Sequence, residues 1–544
     1  MSPAIPAPRA ILPDGRRVAA GWDLGRPDHL ERFSRAVRER RGPWRATPIV
    51  DGAATAAAGD PGARPRTVRA PADARRTIGE VVDADATTVA EAMRVALAAF
   101  EPWTRRAAAS RAACLEAWAD ALEHDVDELV ARCVHEAGKT LADAIADVRE
   151  AVDFCRFYAA EARRLFDAPV RLPGPTGERN ELSLAGRGVF ACIAPWNFPV
   201  AIFVGQAAAA LAAGNVVLAK PAPQTSLVAH RAVELALRAG VPPGALALLP
   251  GGAEVGDALV GARGLAGVAF TGSNATAKRI QRRLADAHEA ILPLIAETGG
   301  VNAMIVDSSA LPEQVTDAVV ASSFRSAGQR CSALRVLALQ DDVADAQLAM
   351  IRDAMATLAV GDPADPATDV GPVIDAAARD ALERHVDAMR AAGHAVERLA
   401  LPPDCARGHF VAPTIVTLDT ISQLPGERFG PVLHVVRWPR DGLPELLRAV
   451  NATGWGLTMG LHTRLDARVE LVRREARVGN LYVNRNIVGA VVGVQPFGGE
   501  GLSGTGPKAG GPWTLVRFAT ERCFTENTAA AGGDVALIAG ASAG

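Results

Sequence analysis

At 544 residues the chain is too long for one ordinary domain, and its 49% hydrophobic content can fill more than one core. A formal net charge of −3, with 22% charged residues, gives no electrostatic footprint for nucleic acid or an anionic membrane surface. Seven widely spaced cysteines without a C-x-x-C, and ten histidines without H-x-x-x-H or H-x-H, argue against a disulfide framework and against a catalytic metal.

In chain order, residues 1–70 are rich in proline, glycine and arginine and read as an extended or partly ordered lead-in. Met1 to Arg17 lacks the apolar core of a signal peptide, and the small-residue run Gly52 to Gly62 reads as a flexible loop. From Ala86 to Phe166 the apolar positions recur at helical spacing, with Thr87 and Thr88 placed to cap the first helix. A turn-rich segment from Leu172 to Leu184 suits a hairpin leaving the domain body. The longest apolar stretch, Phe198 to Ala219, is broken by Pro199, Gln206, Gly214 and Asn215, so it reads as a buried helix and strand rather than a membrane span. A soluble, cytoplasmic chain is expected.

Between Gly188 and Ala285 strand and helix alternate. Continuous apolar runs at Val189–Ala194, Val216–Ala219, Ala245–Leu249 and Gly267–Phe270 predict a parallel sheet covered on both faces. Such sheets bind nucleotides at the carboxyl ends of their strands. A second α/β block runs from Asn302 to about Val494, with strands expected at Ala303–Val306, Val336–Leu339, Val432–Val436 and Leu481–Val483. Trp513–Arg522 reads as an edge strand for subunit contact.

Several residues can carry chemistry. Cys331, in Gly328-Gln-Arg-Cys-Ser, is flanked by small residues that leave room for a carbonyl, and Arg330 or a helix N-terminus can favour its thiolate. Glu297, before Gly299-Gly300, is placed to act as a mobile base for water, although an end-of-element glutamate is the plainer reading. Asn197, between Pro195-Trp196 and Phe198-Pro199, can donate to an oxyanion or simply form a turn. Lys220 ends a strand, where it can meet ribose or phosphate. Thr271-Gly272-Ser273 opens a helix and either cradles a pyrophosphate or serves as an ordinary cap. Gly499–Gly504 fits G-x-G-x-x-G, but the glycine- and proline-rich residues that follow cannot open a helix, so it is a decoy.

Taken in order, Pro195-Trp-Asn-Phe-Pro199, Ala219-Lys-Pro-Ala222, Phe270-Thr-Gly-Ser273, Glu297-Thr-Gly-Gly300, Gly328-Gln-Arg-Cys331, Glu427-Arg-Phe-Gly-Pro431 and Pro496-Phe-Gly-Gly499 resemble the aldehyde dehydrogenase superfamily. The resemblance implies a Rossmann-type parallel-sheet NAD-binding domain, an α/β catalytic domain and a small β oligomerisation arm. Its segments are the lead-in 1–70, a nucleotide domain 71–297 with the arm hairpin at about 168–186, a catalytic domain 298–495, and 496–544 as anchor loop, oligomerisation strand and tail. It further implies Cys331 as nucleophile, Asn197 and the Cys331 amide as oxyanion hole, and Glu297 as base. Pro195, Trp196, Lys220, Gly272, Ser273, Glu427 and Phe429 are implied as cofactor contacts.

A narrower likeness, carried by Glu150–Ala159, Ser326–Arg335 and Gln495–Gly511, is to L-glutamate γ-semialdehyde (Δ1-pyrroline-5-carboxylate) dehydrogenases. Among these, the C-terminal module of the bifunctional proline utilization A family is most similar. It implies a small aldehyde substrate whose carboxylate is held by Ser332 and the Ser503-Gly504-Thr505 loop, a homodimer or higher homo-oligomer, and a proline dehydrogenase module as partner. Residues 1–70 are too short to be that module, so a stand-alone descendant and a piece of a longer protein both stay open. Other aldehydes, acyl transfer to coenzyme A, and a non-catalytic assembly module are the competing readings. Glu297 argues against acyl transfer, and retention of both Cys331 and Glu297 argues against the last. Pro223 stands where many relatives carry a ribose-binding glutamate. NAD is therefore only the family default, with NADP open because no carboxylate repels a 2′-phosphate.

Overall fold

The computed structural model describes residues 11–12, 15–55, 65–175 and 177–527. The far N-terminus, most of the Gly52–Gly62 run and the tail beyond Asn527 lie outside the described residues.

Two seven-stranded sheets organise the molecule. The first is built on β1 (Val189–Ile193), β2 (Val216–Lys220), β3 (Leu246–Leu248), β4 (Leu265–Gly272) and β5 (Leu294–Thr298), all mutually parallel. β1 and β2 are buried at every position, as a sheet covered on both faces requires. The helices between the strands include α1 (Ala201–Ala212) and α2 (Asn274–Ala287). Spatial order runs β5-β4-β1-β2-β3, so the chain reverses direction across the sheet between β1 and β4. That reversal opens a crevice at the carboxyl ends of these two strands.

The second sheet has its core in β6 (Asn302–Val306), β7 (Leu334–Gln340), β8 (Thr414–Thr417), β9 (Val432–Trp438), β10 (Thr458–His462) and β11 (Asn480–Val483). Its edge strand Val396–Arg398 is antiparallel. Each sheet centres its own hydrophobic cluster. The chain passes from β5 into β6 through Gly299–Val301, which brings the carboxyl edge of the first sheet to the amino edge of the second.

The structure differs from the sequence reading in three places. The lead-in is not merely extended: it forms a helix at Pro27–Glu39, and Ile49–Val50 and Ala53–Ala54 extend the first sheet beyond β3. Glycines and prolines masked the apolar stripe Phe33, Ala36 and Val37 that buries this helix. Trp513–Arg522 is not one strand, because Thr514–Arg517 is helical and the strand runs Ala519–Glu526. Those strand residues pair antiparallel with Arg179–Gly186, itself paired to Val170–Leu172, in a three-stranded arm with Val170 and Phe524 exposed. Finally, β5, β8 and β10 went unread, since Glu297 and Thr298, Thr414 and Thr417, and Thr458, Gly460 and His462 break the continuous apolar runs by which the other buried strands are recognised. Among the described residues no helix is long and apolar enough to cross a membrane.

Candidate active site

The crevice at the reversal point is a cavity of about 270 Å³, lined among others by Ile193, Trp196, Lys220, Pro223, Gly272 and Ser273. Apolar walls, a helix N-terminus and a cation are what a dinucleotide requires, so the lining fits one. Ser273 is the N-cap of α2, and its hydroxyl accepts from the Thr276 amide at 3.3 Å. It is thus both a cap and a cavity wall. A side chain at Gly272 would collide with the ring of Phe270, so only glycine closes this strand end. Lys220 is buried, donates to the carbonyls of Pro221 (2.8 Å) and Gly251 (2.9 Å), and is lowered by burial to about 8.

Cys331 stands at the amino edge of the second sheet, just before β7. The preceding turn passes through three consecutive left-handed residues, Ser326 (φ 55°), Ala327 (φ 51°) and Gly328 (φ 63°). Side chains rather than a ladder hold this conformation. Gln329 donates to Pro372 O (3.2 Å) and accepts from Ile374 N (2.8 Å), while Asn302 donates to the carbonyls of Cys331 (2.6 Å) and Ala333 (2.8 Å). Arg330, which the sequence offered as a thiolate partner, is instead committed to Asp143 at 2.6 Å. Withdrawal from water and the carboxylates of Glu427, Glu297 and Glu150 push the Cys331 thiol up to about 12. The resting Cys331 side chain is therefore a neutral thiol. Part of the residue remains exposed.

Asn197, in the loop that follows β1 with Pro195 and Trp196, sends its amide across the cleft to Gln329 O at 3.1 Å, two residues before Cys331. Its own carbonyl accepts from the buried Lys139 ammonium at 2.7 Å. Glu297 lies on β5, and its carboxylate accepts from Gly499 N at 3.2 Å. The other oxygen, Oε1, is sealed and without a hydrogen-bond partner. Burial lifts this carboxyl well above the usual range, with Lys508 opposing. Glu427 accepts from Gly300 N at 2.9 Å, and Phe429 meets Trp196 edge-on with ring centres 5.5 Å apart. Those contacts join the Glu427–Pro431 loop to the crevice.

The expected carboxylate loop is built differently from its sequence reading. The Ser503 hydroxyl is buried and accepts from Gly456 N (3.1 Å), and its amide is spent on Glu500 O (3.0 Å). Thr505 bonds Ala296 through both its amide (2.9 Å) and its hydroxyl (2.9 Å). The loop therefore forms a single antiparallel bridge to β5, with Gly504 opposite Glu297 and its amide directed away from the pair. Ser332 is buried beside Thr458, whose hydroxyl reaches Ser332 O at 3.4 Å. Nearby Glu500–Gly501 pairs with Trp455–Gly456 and opens no helix, so the G-x-G-x-x-G match is indeed a decoy. Sequence reasoning missed Asn302, Lys139 and Arg335, buried polar groups indistinguishable from solvated ones until partners are known.

The aldehyde dehydrogenase family profile matches residues 60–523. Bifunctional protein PutA of Escherichia coli is 48% identical over 530 residues, covering 96% of this chain and 39% of that protein. The chain thus spans about two-fifths of such curated relatives. The 1-pyrroline-5-carboxylate dehydrogenase of Geobacillus kaustophilus is 38% identical over 462 residues, covering 84% of this chain and 89% of that protein. Among solved structures, a bifunctional proline utilization A superposes with TM-score 0.88 at 47% identity, covering 97% of this chain and 50% of that one. A Thermus thermophilus 1-pyrroline-5-carboxylate dehydrogenase variant gives 0.87 at 33%, covering 93% and 98%. With the nucleotide crevice, the cysteine turn and the profile in agreement, the chain belongs to the aldehyde dehydrogenase family.

Proposed function

We propose that the chain oxidises L-glutamate γ-semialdehyde to L-glutamate, with a nicotinamide dinucleotide as oxidant and water as the oxygen source. The observation carrying this reading is the convergence of Asn197, Cys331 and Glu297 on one cleft, joined to the likeness to relatives named 1-pyrroline-5-carboxylate dehydrogenase.

In this reading the Cys331 thiol gives its proton to water as Sγ bonds the aldehyde carbon, leaving a thiohemiacetal whose oxygen carries the negative charge. The Asn197 amide exchanges the Gln329 carbonyl for the developing oxyanion, helped by the Cys331 amide. The dinucleotide, when bound, supplies the hydride acceptor that turns the thiohemiacetal into a thioester. Glu297 then takes a proton from water as water attacks the thioester, releasing the acid and restoring the thiol. Because burial raises Glu297, the carboxyl must first give up its own proton, so turnover rises with pH through its titration.

Residues 71–297 serve as the nucleotide domain, with Pro195, Trp196, Lys220, Gly272 and Ser273 at the crevice, and 298–495 as the catalytic domain. Glu427 and Phe429 face the nicotinamide ribose. Ser332 and the outward Gly504 amide contact the substrate carboxylate, while Ser503 and Thr505 brace that loop. The arm of 168–186 and 519–526 joins copies into a homodimer, and a proline dehydrogenase module is the partner that delivers substrate, in the cytoplasm. NAD is the proposed acceptor, and Pro223 in the cavity wall leaves NADP admissible.

The test is a panel of aldehydes assayed with NAD and NADP. L-glutamate γ-semialdehyde should give the highest kcat/KM and yield glutamate. Preference for an unrelated aldehyde without a carboxylate would refute the substrate assignment.

A further inference from the structure

Arg335 lies on β7, four residues beyond the nucleophile, and has no exposed surface. A guanidinium withdrawn from water must find acceptors. The acceptors here are backbone carbonyls from two separate loops. Nη1 donates to Gly328 O (2.7 Å) and Gly430 O (3.1 Å), and Nη2 donates to Arg330 O (2.9 Å). The guanidinium carbon sits 5.3 Å from the centre of the Phe429 ring.

Gly328 and Arg330 belong to the left-handed turn that presents Cys331, whereas Phe429 and Gly430 belong to the loop that carries Glu427. These loops lie about a hundred residues apart in the chain and touch closely: a Cβ on Gly328 would overlap Gly430 O. Arg335 is itself anchored. Its neighbours Leu334 and Val336 are in ladder register with Asn302 and His434, and the His434 ring meets Arg335 O at 3.0 Å. The same positive charge counters the rise that burial imposes on Glu427.

We infer that Arg335 is a positioning residue that fixes the spacing between the Cys331 nucleophile and the Glu427–Pro431 loop, so one side chain registers thiol and nicotinamide against each other. The inference rests on the proposed function for the identity of the cofactor, but the geometry of the two loops does not. Nη1 alone bridges the two loops, while Nη2 in the same rigid plane grips Arg330 O, and a lysine ammonium reproduces that fixed set of three acceptors less well.

Full-length chains carrying Arg335→Met and Arg335→Lys test it, at a temperature where circular dichroism reports each as folded. Iodoacetamide labelling of Cys331 is followed by peptide mass spectrometry, with the partly exposed Cys114, outside the arm, as internal reference. NAD dissociation constants are read by calorimetry. Arg335→Met should raise the Cys331-to-Cys114 labelling ratio about tenfold and weaken NAD about tenfold, the worth of one charge-assisted hydrogen bond. KM for aldehyde should move less than KM for NAD, and Arg335→Lys should fall between. Should Arg335→Met fail to fold, Arg335→Lys decides alone, with a labelling ratio and NAD affinity equal to the parent's overturning the inference. A folded Arg335→Met with parental values overturns it equally. A parent chain that binds no NAD removes the functional reading, and the labelling ratio then still decides the role of Arg335.

Discussion

The two parallel sheets meet at one cleft by opposite edges, and they build their halves of it by different means. The first sheet offers the carboxyl ends of β1, β2 and β4, where topology alone opens a crevice and a capped helix points into it. The second offers its amino edge, because its own reversal, between β6 and β10, opens at the carboxyl ends of its strands and away from the cleft. There the Cys331 turn is held by side-chain contacts: Asn302 from β6, Arg335 from β7, and the turn's own Gln329 reaching to Pro372 and Ile374. A binding crevice can follow from strand order, whereas a reactive turn needs individually placed donors. Apart from Glu297, which acts on water itself from β5, single substitutions should therefore hurt the second half more than the first.

The largest effect among the supporting residues is expected at Glu297. Glu297→Gln should lower kcat by about 10²- to 10⁴-fold, the usual worth of a positioned base, and abolish the rise of turnover with pH. Its stability carries a sign as well. The folded-state proton affinity of Glu297 exceeds its unfolded value, so the carboxyl's favourable contribution is complete in acid and lost as pH rises through the folded titration. Melting curves of Glu297→Gln and parent should coincide at low pH and separate in favour of the variant toward alkaline pH. Coincidence throughout would contradict the raised carboxyl.

Next in size is Asn302→Leu. It strands the carbonyls of Cys331 and Ala333 and the Thr458 amide, so a loss of about 2–4 kcal/mol in stability is expected. Loosening of the turn should cost about tenfold in kcat, measured where the variant remains folded. The smallest effect belongs to the crevice. Ser273→Ala removes the cap of α2 and should cost only about 1 kcal/mol, with a modest rise in KM for the dinucleotide and an unchanged kcat. If Ser273→Ala proved the more damaging of the two, the contrast between the edges would fail.

The same contrast explains what could be read from the residues in order. β1, β2 and β4 announce themselves as continuous apolar runs, and Ser273 before α2 is a local cap signal, so the nucleotide half was legible. Cys331, Glu297 and Asn197 were legible through motifs that resemble a family, not through local chemistry. Arg330 shows the limit: beside the cysteine in sequence, it is turned in space toward Asp143. Ser503 and Thr505 show it again, because a glycine-rich stretch does not reveal that its amides and hydroxyls will be spent on β5 and Gly456. Arg335 could not be told from a solvated arginine until its three carbonyl partners, two of them on one loop and one on another, were in place.

The central claim is that Cys331 forms the covalent bond through which an aldehyde becomes an acid. Acid-quench mass spectrometry of the parent and Cys331→Ala, mixed with L-glutamate γ-semialdehyde and NAD, tests it most directly. An acyl adduct on the peptide containing Cys331 and one NADH for each glutamate are expected, with neither product from Cys331→Ala. Glutamate formation by Cys331→Ala, or an adduct on another cysteine, would contradict it.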